Sequence, residues 1–162
     1  MRTEEIIHKL SLVPHPEGGF YRETYRSKED LITEEGKRRN VCTAIYYLLK
    51  GNDKSFFHRL KSEEAWFFHE GNVLEINVLI NGEIERYDLG TDIHNGEYPQ
   101  VIIPANTWFA AKAKSATGHT LVSCTVAPGF DFEDFELAAR EELLRRHPHL
   151  EEVIKEFTKA DF

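Results

Sequence analysis

Between Ser55 and Gly71 the chain reads SFFHRLKSEEAWFFHEG, and these seventeen residues hold two histidines, two adjacent glutamates, a tryptophan and four phenylalanines. Imidazole beside carboxylate is the chemistry of proton transfer and of metal ligation. Alternation of a half-buried strand puts Glu64, Trp66 and Phe68 on one face and Ala65, Phe67 and His69 on the other. His58 and Leu60 share a face in the same way. If the first face looks into a barrel, His58 and Glu64 converge beside Trp66, a polar pair in an aromatic pocket of the kind that binds small molecules.

His58-x-Leu60, three residues, Glu64, six residues and Gly71 resemble the first motif of the cupin superfamily, HxH-(3–4)-E-(6)-G, in which two histidines and a glutamate ligate a metal. The second motif, PxG-xx-H, falls on Pro104-Ala105-Asn106-Thr107-Trp108-Phe109. Leu60 stands where the second histidine belongs and Phe109 where the third belongs. Asn106 replaces the turn glycine, and asparagine accepts positive φ better than most residues. The blocks Pro14–Ser27, Thr43–Leu49, Phe57–Trp66, Ile103–Ala111 and Ser123–Leu137 resemble a branch of small bacterial and fungal cupins of unknown function, the Cupin_5 type. That resemblance implies a single mainly-β domain, a double-stranded jelly-roll barrel with a short N-terminal helix and C-terminal helices. It divides the chain into residues 1–13 (helix), 14–129 (barrel) and 130–162 (helices).

Fold does not carry reaction with it, and three readings stay open. The cavity binds a small molecule: sugar-like, nucleotide-like or an acidic metabolite. Alternatively, the protein is a metal-free isomerase or epimerase-like enzyme with His58 as general base, Glu64 as its partner and Tyr46 or Tyr47 as the acid. The third is a metal enzyme with a degenerate ligand set. No cofactor is expected, and a divalent metal would rest on His58 and Glu64 alone and bind weakly, since a catalytic site needs three or four protein ligands. His69 is turned away from Glu64 by strand parity. Arg22, Tyr46, Trp66, Phe68, Trp108 and Phe109 are the expected ligand contacts. Arg22 and Arg26 share a face of the strand Phe20–Arg26, where their guanidinium forks suit a carboxylate or phosphate.

The elements that must position these residues are legible in part. A helix over Glu4–Leu12 has Thr3 as its cap and Ile6, Ile7 and Leu10 as its apolar face. Pro14 and Pro16 end it, and Glu17-Gly18-Gly19 reads as a turn. Lys28–Asn40 reads as a surface loop with a solvated Lys37-Arg38-Arg39 run. Thr43–Leu49 is a buried strand. Val73–Ile80 and Glu83–Leu89 form a hairpin on Asn81-Gly82, a pair suited to a turn with φ > 0 at both positions. Further strands cover Val101–Ile103, Trp108–Lys112 and Thr120–Val126. A helix over Phe135–Arg146 follows, then Pro148 and a last helix carrying Leu150, Val153, Ile154 and Phe157.

The chain has 162 residues, 41% hydrophobic and 30% charged, with a formal net charge of −8. This suits one domain with its own core. The acidic balance lacks the basic footprint of a nucleic-acid binder. No apolar run approaches the length of a membrane span, and there is no export-like N-terminus. Cys42 and Cys124 do not make a disulfide framework, which suits the cytoplasm. A homodimer is expected, paired through Phe20–Arg26, because an open barrel leaves edge strands to cover.

Overall fold

The computed structural model describes residues 2–160. Two six-stranded sheets face one another. The first contains, in spatial order, β1 (Val13–Pro14), β2 (Phe20–Arg26), β5 (Thr43–Lys50), β13 (His119–Ala127), β7 (Glu63–Gly71) and β11 (Gln100–Ile103). The second contains β10 (Glu97–Tyr98), β9 (Glu83–Leu89), β8 (Leu74–Ile80), β12 (Phe109–Ala113), β6 (Lys54–Arg59) and β14 (Glu136–Leu137). Helix α1 (Arg2–Lys9) precedes them, and α2 (Arg140–Arg146) and α3 (Glu151–Glu156) follow. Among the described residues no helix is long and apolar enough to cross a membrane.

Strand alternation builds three apolar layers from this arrangement. Tyr47, Leu49, Trp66, Val122 and Cys124 from the first sheet meet Leu74, Ile76, Val78 and Phe109 from the second, and this is the main core. On the outer face of the first sheet, Leu48 and Leu121 pack with Ile6, Ile7 and Leu10 of α1. On the outer face of the second, Phe57 and Ala110 pack with Leu143, Ile154 and Phe157 of the C-terminal helices. The central strands are therefore covered on both faces, and Tyr47, Leu48 and Leu49 are successively buried.

Local chemistry explains most turns. Asn81 and Gly82 have φ of 53° and 79°, and Asn106 has φ of 57°, as their residue types allow. Several expectations are corrected. Thr3 does not cap α1; its hydroxyl meets His119 Nδ1 at 2.8 Å and ties the helix to the barrel. Lys28–Asn40 contains a two-stranded hairpin, β3 (Asp30–Ile32) with β4 (Arg38–Asn40), rather than an irregular loop. Arg39 is buried, its guanidinium bonded at 2.8 and 2.9 Å to Asp134. The helix expected over Phe135–Arg146 begins only at Arg140, because Glu136 and Leu137 add β14 to the edge of β6. Along Arg22–Arg26 the outer edge of β2 has no hydrogen-bonded strand among the described residues, since β1 reaches only Phe20 and Tyr21. Charges and a bulge blunt this edge.

Candidate functional site

The turn His15–Gly19 sets the geometry of the interior. Gly18 and Gly19 have φ of 109° and 79°, and a Cβ on Gly18 would stand 2.0 Å from the Lys54 carbonyl oxygen. Only glycine lets the turn lie this close to β6. Pressed there, Glu17 accepts the Phe56 N–H on its backbone carbonyl and the Ser55 hydroxyl at 3.0 Å on its carboxylate. His58, two residues further along β6, places Nε2 3.0 Å from the other oxygen of Glu17.

The protonation of this buried pair follows from its partners. His58 Nδ1 lies 2.8 Å from the Phe56 carbonyl oxygen, which only accepts, so Nδ1 carries a proton. Burial opposes a charge on His58, but Glu17 and, less strongly, Glu64 outweigh it, and the pKa is raised. Burial also opposes ionisation of Glu17, yet His58, His15 and Ser55 together hold its pKa below the usual carboxylate range. The pair is thus imidazolium and carboxylate, with both imidazole nitrogens committed. His15 stays neutral, its pKa lowered chiefly by burial, and Nδ1 accepts the Glu17 backbone N–H at 3.0 Å.

Glu64 differs. It is buried on β7, and its Oε1 has no hydrogen-bond partner, nor has the indole nitrogen of Trp66 two residues on. Burial is the main reason its pKa is pushed up to about 7; His58 pulls it down and Glu17 pushes it up. The indole of Trp66 favours the ionised form slightly without closing a proper hydrogen bond. Glu17, His58, Glu64, Trp66 and Tyr47 line one cavity of about 470 Å³. Phe130, Phe132 and Phe135 lie at its mouth, and the Phe135 ring stacks on His58 with centroids 5.5 Å apart.

Residues 4–138 match the family described as the cupin superfamily (DUF985). The chain belongs to this family. A hypothetical protein from Leishmania major is 36% identical, with a TM-score of 0.91 over 97% of this chain and 98% of that one. Protein SO0799 from Shewanella oneidensis is also 36% identical, with a TM-score of 0.89 and 98% of each chain covered. The uncharacterized protein YML079W of Saccharomyces cerevisiae is 29% identical over 156 residues, 88% of this chain and 78% of its own length. Oxalate decarboxylase from Bacillus subtilis, at 12% identity and a TM-score of 0.56, shares the fold.

The cupin motif positions do come together. His58, Leu60 and Glu64 line the same cavity, and the Phe109 ring lies 4.2 Å from the His58 ring. The donors do not fit a cupin metal. Leu60 and Phe109 have no lone pair to give, and both nitrogens of His58 are engaged by Glu17 and Phe56. Among the described residues no three His, Cys, Asp or Glu side chains are grouped to hold an ion. His69 bonds Ser123 at 2.8 Å, as its parity requires, and His119 engages Thr3 and Glu70.

Of the expected ligand contacts, Trp66 faces the cavity. Phe109 stands behind His58 and Trp66 rather than in the wall, with a centroid distance of 5.9 Å to the indole. Tyr46 points outward under α1, and Tyr47 is the inward tyrosine, its hydroxyl donating to the Gly18 carbonyl. Trp108 lies in the outer layer under the C-terminal helices, with the Arg59 guanidinium 4.3 Å over its ring. Phe68 packs against the core beyond the cavity. Arg22 donates to the Leu10 carbonyl at 3.2 Å and is exposed. Arg26 does not share its face. A bulge at Thr24, between the pairs Glu23–Ile45 and Tyr25–Ala44, reverses the parity and brings Arg26 to the cavity mouth with Glu23.

Glu17 and His15 are not among the residues expected at the site. Glu17-Gly18-Gly19 reads from sequence only as a turn, and its glycine pair is the one local sign that Glu17 can lie against a strand. The expected partner of His58, Glu64, is replaced by Glu17 as its hydrogen-bonded counter-ion.

Proposed function

We propose that this cupin binds a small organic molecule between its sheets. One observation carries the reading: Glu64 Oε1 and Trp66 Nε1 are buried, adjacent on one strand face and without partners. Each such group costs about 1–3 kcal/mol, and a ligand that supplies both partners recovers it. The cavity volume also falls within the roughly 300–1,000 Å³ of small-molecule sites. Native mass spectrometry of the purified protein tests this. A stoichiometric excess mass, released on denaturation and lost in Trp66→Phe, is the expected result. A bare 18.8 kDa chain in every preparation, with no stabiliser in a thermal-shift screen of metabolites, would sink the reading.

Proton-transfer catalysis is a second reading, favoured by the position of Glu64 near pH 7. In this form Glu64 is the acid or base and the His58–Glu17 pair supplies fixed charge, since the imidazolium has no lone pair to offer. Incubation of the retained molecule in D₂O should then place deuterium on carbon, faster as pH rises through about 7. Equal exchange in Glu64→Gln would refute it.

For metal, we propose weak or absent binding. Calorimetry with Zn²⁺, Mn²⁺ and Ni²⁺ should give no tight one-to-one isotherm, and tight binding abolished by His58→Ala would overturn this. Restoring Leu60→His and Phe109→His together should raise the affinity. The gain is limited because Glu17 already holds His58 Nε2.

A further inference from the structure

We infer that the ligand is an uncharged polyol, held by a hydroxyl or a vicinal pair of hydroxyls between Glu64 and Trp66, and that the cavity rejects anions. This rests on the small-molecule reading above and names the chemistry of its ligand. The two unpartnered groups have complementary demands. An indole N–H only donates, and an ionised carboxylate only accepts. Trp66 and Glu64 are two residues apart on β7 and so face the same way. A hydroxyl accepts from the first and donates to the second. A phosphate or carboxylate oxygen would satisfy the indole but repel Glu64, and an ammonium would satisfy Glu64 but leave the indole unpaired.

The charges around the cavity point the same way. Four carboxylates line it, Glu17, Glu23, Glu64 and Asp131, against two cations, His58 and Arg26. Both cations are already engaged. His58 faces Glu17. Arg26 donates to both oxygens of Glu23 at 3.1 and 2.6 Å, to Asn40 at 2.7 Å and to the Phe130 carbonyl at 3.1 Å. His15 is neutral, since its Nδ1 accepts a backbone N–H. Among the described residues lining the cavity, no cation remains to meet an anionic ligand. Tyr21, Phe132 and Phe135 line the cavity without being fully buried, and such ring surface suits the C–H groups of a polyol.

The test is a charge series on one scaffold: uncharged pentoses, hexoses and inositol, with the phosphate, uronate and amino derivative of each. Binding is measured at pH 7.5 by ligand-observed NMR and calorimetry. At least one uncharged member should bind, with its phosphate and uronate weaker by roughly tenfold or more, as a like charge beside Glu64 requires. Trp66→Phe and Glu64→Gln should each weaken the uncharged ligand about tenfold, the scale of one lost hydrogen bond. Circular dichroism confirms that each variant is folded, and Trp66→Phe carries the test if Glu64→Gln is not. An anion bound as tightly as its uncharged parent overturns the proposal, and so does an absence of binding by every uncharged member. A retained anion or amine found by mass spectrometry would sink the polyol and leave small-molecule binding standing. An empty protein that also binds nothing in the series would sink both.

Discussion

Glu64→Gln should make this protein more stable at pH 8 and no more stable at pH 4.5. The carboxyl titrates near 7 in the fold against 4.5 for an unperturbed glutamate, chiefly because it is buried. A raised carboxyl pKa means that the folded state holds a proton which the unfolded chain has released between these two values. Stability is therefore lost as pH climbs from about 4.5, and the loss is complete above about 7. A shift of this size corresponds to about 3 kcal/mol. The glutamine amide is itself buried with incomplete hydrogen bonding, which takes back about 1 kcal/mol. The net gain of about 2 kcal/mol should raise Tm at pH 8 by roughly 5 °C for a chain of this length. Thermal unfolding of both proteins at the two pH values measures it. An equal or lower Tm for the variant at pH 8 would mean that water or protein groups already satisfy the carboxylate. The same substitution is expected to weaken ligand retention, so stability and binding move in opposite directions at one atom pair.

Glu17→Ala should act the other way, at a cost of about 3–5 kcal/mol near pH 6, the usual result of removing one partner of a buried ion pair. His58 would be left protonated in an apolar interior and would give up its proton, its pKa falling below the ordinary histidine value. Urea denaturation reads the first effect and NMR titration of the ring protons reads the second. A titration that stayed raised in Glu17→Ala would assign the charge on His58 to Glu64 instead. The pH dependence follows from the two directions. Glu17 has a depressed pKa, so its contribution is present above about 4.5 and is lost as pH falls through the folded value. His58 has a raised pKa, so its contribution is full below about 6.5 and is lost as pH rises through the folded value. The pair stabilises most between these limits, and Glu64 adds its loss on the alkaline side. The wild-type protein should therefore melt highest at mildly acidic pH.

Local pattern revealed the parts of this molecule that are governed locally. Alternation placed Glu64 and Trp66 on one face, and residue type explained the left-handed Asn81-Gly82 turn and Asn106. The motif spacing brought His58, Leu60 and Glu64 to one cavity. What was not legible depends on contacts between distant segments. Glu17 becomes a counter-ion only when a glycine turn is pressed against a strand far along the chain. Tyr46 and Tyr47 could not be told apart because β5 is covered on both faces, by α1 outside and the core inside, so its sequence is a continuous apolar run. Trp108 resembled a pocket aromatic until the C-terminal helices covered its face of the sheet. Glu136 and Leu137 sit in a helix-like pattern but complete the edge of β6 instead. Each miss is a case of tertiary contact overriding local preference.

The bulge at Thr24 bears on how this strand tolerates changes of length. Glu23 and Arg26 are three apart, a separation that puts side chains on opposite faces of a regular strand, yet their charged ends meet at 2.6 Å. The extra residue makes that meeting possible, and the register of Arg26 against Thr43 is what regular alternation from Glu23 would give if Thr24 were absent. Thr24 is exposed, and its hydroxyl makes one long bond, 3.3 Å, to the Ala44 carbonyl. Loss of its codon would flatten the strand while leaving the same two charges at the rim of the cavity. The strand can thus gain or lose a single residue at this point without exchanging the groups that face the cavity.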